Sequence, residues 1–101
     1  MDLNLKGKTA IVTGGSTGLG AGICEVLAGE GMNVIVNYIV GEPQAKEFAQ
    51  SLCDRFGTRC MAVYGDISKA EDIDAIFELA EKEYGHVDVL VNNAGIWPTT
   101  P

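Results

Sequence analysis

The sequence predicts an α/β fold, four strands alternating with three helices around a parallel sheet, and two observations carry that prediction. Short apolar, β-branched runs of strand length alternate strictly with segments whose apolar residues recur at helical spacing. The second of these runs, Val34-Ile35-Val36, is apolar on both faces, as suits an interior strand covered by helices on each side. With 101 residues, 47% of them hydrophobic, the chain has the size of one small domain with a compact core.

The first strand, residues 8–13, ends abruptly in Gly14-Gly15, the punctuation of a buried strand entering a turn. From Gly18 onward Leu19, Ile23, Val26 and Leu27 recur at helical spacing, and Gly29 and Gly31 offer places to end that helix. The second strand takes residues 33–39. After Gly41 and Pro43, a natural helix opening, Ala45, Phe48, Ala49, Leu52 and Phe56 line one face up to Gly57. A third strand covers residues 59–64. Ser68 with Glu71 three residues later reads as a capping box opening a helix that turns Ile73, Ile76, Phe77 and Ala80 inward, closed by Tyr84-Gly85. The fourth strand spans residues 87–91, and residues 92–101 are turn chemistry with two prolines.

Composition narrows the function. Acidic residues outnumber basic ones 14 to 7, a formal net charge of -7 that repels a phosphate backbone at long range, so no nucleic acid is expected as partner. Apolar runs fall far short of the length that crosses a bilayer, and residues 1–8 lack a signal-peptide core, so no membrane association and a cytoplasmic location are expected. The cysteines Cys24, Cys53 and Cys60 form neither an even framework nor a Cys-x-x-Cys pair and read as reduced, buried thiols. His86 stands alone. The acidic residues of the third helix lie largely opposite its apolar face, as a solvated surface rather than a metal site.

The turn Thr13-Gly14-Gly15-Ser16-Thr17-Gly18-Leu19-Gly20 joins the first strand to the first helix, where a Rossmann unit grips a pyrophosphate. Gly14 permits the tight turn, Gly18 removes a side chain that would keep backbone N–H groups from phosphates, and Gly20 lets helix and strand pack closely. The helix start adds unpaired donors and the positive end of its dipole, so an anionic dinucleotide is compatible with an acidic chain. No Gly-Lys-Ser/Thr follows, which excludes a Walker loop.

The spacing Thr13-Gly14-x-x-x-Gly18-x-Gly20, with Asp66-Ile67 after the third strand and Asn92-Asn93-Ala94-Gly95 after the fourth, resembles the short-chain dehydrogenase/reductase family over residues 6–95. The resemblance implies a partial Rossmann fold with strand order 3-2-1-4. It also implies that Asp66 accepts a hydrogen bond from an adenine amino group while Ile67 offers its backbone to the ring. Asn92 would brace the fourth strand, and Ala94 and Gly95 would leave space for the nicotinamide-side ribose. Ser16, Thr17 and Leu19 belong to the phosphate loop.

Cofactor choice is read at the end of the second strand, a position assigned to Asn37 with Tyr38 beside it. A neutral residue lifts the repulsion of a 2′-phosphate, while Thr17 stands where many NADP-preferring relatives carry arginine, so NADP, or use of either NADP or NAD, is expected. Lys46 is the nearest later cation.

The family's chemistry rests on a serine, a Tyr-x-x-x-Lys pair and an asparagine. Tyr38, Tyr64 and Tyr84 precede Glu42, Ser68 and Asp88 at that spacing, so none has its lysine, and no catalytic residue is assigned. The chain therefore reads as the cofactor-binding half of an oxidoreductase that moves a hydride between NAD(P) and an alcohol or carbonyl substrate, inactive by itself, with Trp97 bordering either the substrate or the loop. The alternatives are a non-catalytic dinucleotide-binding module and a structural fragment. Four strands in this order leave the fourth at an open edge and the first strand's apolar surface poorly covered, so a homo-oligomer is expected.

Overall fold

The computed structural model describes residues 4–93. Seven elements follow one another: β1 (Thr9–Val12), α1 (Gly18–Gly29), β2 (Asn33–Tyr38), α2 (Glu42–Phe56), β3 (Cys60–Tyr64), α3 (Ala70–Tyr84) and β4 (Val89–Val91). The strands form one parallel sheet in the order β3-β2-β1-β4, as expected.

Period two along the central strands divides the core. Ala10, Val12, Val34 and Val36 face Cys24 and Ala28 of α1 and Ala49 and Leu52 of α2. Their neighbours Ile11 and Ile35 face Ile76 and Ala80 of α3 on the other side. Two helices thus cover one face and a single helix the other. That single helix covers β1 better than expected, because Ile11 is only 1% exposed. On this face the apolar surface left open lies on β4, where Leu90 is 51% exposed, and at Ile73 of α3.

Three other expectations need correction. The helix α3 does not open with a Ser68–Glu71 capping box: its N-cap is Lys69, which makes no side-chain capping bond. The Ser68 hydroxyl turns back to Asp66 Oδ1 at 2.7 Å, and Asp72 Oδ2 accepts the Asp66 N–H at 2.8 Å. A carboxylate inside the first turn thus holds the loop before the helix, at the positive end of the dipole. Strand β4 begins at Val89 rather than at residue 87, because the Asp88 carboxylate and backbone tie off its entrance against Thr9. Of the cysteines, Cys24 is buried and all three are free thiols, but Cys53 and Cys60 are only half-buried.

Candidate functional site

The sequence motifs converge at one end of the sheet, beyond the C-terminal ends of all four strands, where ligands of open α/β sheets lie. Gly14 follows β1, Tyr38 ends β2, Asp66 follows β3 and Asn92 follows β4.

The turn between β1 and α1 needs its glycines. Gly14 and Gly18 take φ values of 59° and 56°, in the left-handed region. Gly20 packs directly on the turn: a Cβ there would collide with the Gly14 carbonyl and stand 2.8 Å from Asn93 Nδ2. Ser16 is half-buried, whereas Thr17, Gly18 and Leu19 are exposed. Thr17 is the N-cap of α1 in extended conformation and gives no side-chain capping bond. The first-turn N–H groups, which have no partner within a helix, therefore face outward uncapped from a turn with open space at Gly18. Such a cradle fits a pyrophosphate.

Neighbouring strands hold the turn in place. Gly15 N–H donates to the Asn37 carbonyl at 3.0 Å and Gly14 N–H to Asn37 Oδ1 at 3.3 Å. From the other side Asn93 Nδ2 donates to the Gly14 carbonyl at 3.2 Å, and the Thr13 hydroxyl donates to Asn92 Oδ1 at 3.2 Å. Asn92 thus bridges β4 to β1. Asn93 bonds the glycine turn itself, a role that its place in a run of turn-forming residues does not reveal.

Asn37 is where structure and sequence placement diverge. Rather than facing a ribose, its side chain is 1% exposed, and its amide nitrogen donates to the carbonyls of Val63 at 3.3 Å and Gly65 at 3.0 Å. The amide staples the ends of β2 and β3 to the glycine turn. Tyr38 is also buried, its ring edge-on to Tyr64 at 6.1 Å, and the side chains that reach solvent after β2 are Ile39 and Val40. Among these residues there is neither a carboxylate nor a cation. Lys46 is engaged by Glu42 at 3.0 Å on the surface of α2.

Asp66 stands half-buried at the end of β3. The hydroxyl and N–H of Ser68 hold its carboxyl below the ordinary range, so it is an anionic acceptor at neutral pH. Ile67 lines an apolar cavity of about 90 Å³ with Ile11, Thr13, Ile76, Phe77 and Asn92. Ala94, Gly95 and Trp97 lie outside the described residues. Among the described residues no group of three or more His, Cys, Asp or Glu side chains is placed to hold a metal ion, and no helix is long and apolar enough to cross a membrane.

Known proteins are similar in sequence and fold. The chain is 45% identical over 98 residues to 3beta-hydroxysteroid dehydrogenase 1 of Eggerthella lenta, covering 97% of this chain and 37% of that protein. It is 41% identical over 92 residues to glucose 1-dehydrogenase 2 of Bacillus subtilis, covering 91% of this chain and 35% of that one. Among solved structures, L-sorbose reductase of Gluconobacter frateurii, complexed with NADPH and L-sorbose, superposes with a TM-score of 0.87 at 38% identity, covering 94% of this chain and 36% of the reductase. The chain thus spans little more than a third of the length of these relatives. The short chain dehydrogenase family model matches residues 8–101, and the chain belongs to that oxidoreductase family.

Proposed function

We propose that this chain is the dinucleotide-binding half of an NAD(P)-dependent oxidoreductase, whose catalytic and substrate-binding residues lie in a segment beyond residue 101. The observation that carries the reading is the uncapped start of α1 behind a turn closed by Gly14, Gly20 and Asn93. The N–H groups of this turn would hold the pyrophosphate, with Ser16, Thr17 and Leu19 at its rim. Asp66 would accept from the adenine amino group beside Ile67, and Ala94 and Gly95 would flank the nicotinamide-side ribose. When bound, the dinucleotide would donate a hydride to a carbonyl in its reduced form or accept one from an alcohol in its oxidised form.

NADP, or use of either cofactor, is the reading for the end of β2, where residues 37–40 carry no carboxylate to repel a 2′-phosphate and the nearby Glu42 is paired with Lys46. The NADPH complex of the similar L-sorbose reductase supports that choice. The reading extends to a cytoplasmic, oligomeric enzyme.

Titration calorimetry of the full-length protein with NADPH and NADH tests it. Thr17→Glu adds a charge to an exposed position in the cradle and is expected to weaken both cofactors about tenfold or more, by about 1.4 kcal/mol, without lowering the melting temperature. Thr17→Arg is expected to favour NADPH over NADH. If Thr17→Glu leaves both affinities unchanged, the pyrophosphate does not sit at α1.

A further inference from the structure

At the end of the sheet opposite the cofactor cradle, two thiols meet. Cys53 sits in the last turns of α2 and Cys60 opens β3, and the left-handed Gly57 between them folds the chain back on itself. The Cys53 thiol donates to the Cys60 carbonyl at 3.3 Å, and its sulfur accepts the Cys60 N–H at 3.3 Å. A sulfur this near both polar groups of one residue lies beside that residue's Cα. The Cys60 sulfur itself lies 3.3 Å from the Thr58 hydroxyl. Rotation of the Cys60 side chain toward Cys53 would then bring the two sulfurs together. Both residues are half-buried, Cys53 near the end of α2 and Cys60 on the edge strand β3, within reach of a small oxidant. Cys24 offers the internal contrast in burial: it is fully buried, its thiol pushed up to about 12, whereas Cys60, also raised by burial, is only half-buried.

We propose that Cys53 and Cys60 form a redox modification site, a dithiol that hydrogen peroxide converts reversibly to a disulfide. One thiol reduces the peroxide, breaking its O–O bond, to give a sulfenic acid and one water. The second thiol attacks that sulfur, forming the S–S bond and releasing the hydroxyl with its own proton as a second water. Two electrons leave the cysteine pair and two enter the peroxide. The bond would fasten the end of α2 to the start of β3, replacing the two thiol–backbone contacts with a covalent link. It leaves the turn at the far end of the sheet untouched, so cofactor affinity is expected to stay within about twofold, well below the tenfold that 1.4 kcal/mol represents.

Peptide mapping of the full-length protein tests this directly. Trypsin cuts after Lys46, Arg55, Arg59 and Lys69, so Cys53 leaves in the peptide 47–55 and Cys60 in the peptide 60–69. After brief peroxide treatment, alkylation and digestion, the expected product is these two peptides joined, lighter than their sum by two hydrogens and separated again by dithiothreitol. Cys24 is expected to remain a free thiol. Cys53→Ser and Cys60→Ser should each abolish the joined species. Recovery of the two peptides unlinked, alkylated or singly oxidised to sulfinic acid, would overturn the proposal.

Discussion

A carboxylate in place of the Asn37 amide would face two carbonyls it could not hydrogen-bond. The amide nitrogen donates to Val63 and Gly65 while its oxygen receives Gly14 N–H, all at a position 1% exposed. Asn37→Asp is therefore expected to destabilise the fold by about 2–4 kcal/mol through two lost donors and a buried charge. The ratio of NADH to NADPH affinity should hardly change. Chemical denaturation and cofactor titration separate the two effects; a stable variant that had turned toward NADH would restore Asn37 to the ribose. The place of this residue at the end of β2 was legible from the strand's length and the glycine after it. Its direction was not, because a strand apolar on both faces shows no polar alternation to say which way the last side chain points. Gly14 and Gly20 were legible for the opposite reason: no other residue type meets the demand of that turn, so the type itself carries the geometry. Asn93 and Asp72 escaped notice because a turn asparagine and a first-turn aspartate are common where they have no distant partner.

At the scale of elements, the alternation of strand and helix was plain, but where α3 and β4 begin was not. Both starts are set by carboxylates that reach across sequence, Asp72 to Asp66 and Asp88 to Thr9, and apolar periodicity is silent about such contacts. Asp88 is the more consequential. Its Oδ2 accepts Thr9 N–H at 2.9 Å and its own N–H donates to the Thr9 carbonyl at 2.9 Å, joining the entrance of β4 to that of β1; His86 Nδ1 meets the same oxygen. The Thr9 N–H, with His86 helping, holds this carboxyl below its ordinary 3.8. A group depressed in the folded state contributes stability that is complete above its unfolded pKa, near 4, and is lost as pH falls through the folded value. Part of the acid limb of the stability curve, from about pH 4 downward, should therefore belong to Asp88. Asp88→Asn should be less stable than the parent at neutral pH and converge with it in acid, which denaturation midpoints between about pH 2 and pH 7 will show. Parallel curves for the two proteins across that range would assign the acid limb elsewhere, to Asp66 first.

For the whole molecule, charge and exposed apolar surface pull in opposite directions. The sheet of described residues ends at β4, a strand paired only with β1, whose Leu90 is 51% exposed beside the cavity under α3. Open backbone groups next to apolar surface favour pairing with another chain. A net charge of -7 opposes it, since each copy repels the next. Repulsion between surface charges is screened as the Debye length shrinks from roughly 30 Å at 0.01 M salt to about 8 Å at 0.15 M, whereas burial of Leu90 does not depend on screening. Produced as residues 1–101 alone, the chain is expected to self-associate through the β4 edge, and more strongly as salt is raised. Light scattering coupled to size exclusion should show a mass that grows with protein concentration and with ionic strength. Leu90→Asp should shift the population back toward monomer, because it places a charge in the contact itself. Association that weakened with salt would point to ion pairs between copies rather than to the β4 edge, and a monomer under every condition would mean that the edge needs no partner.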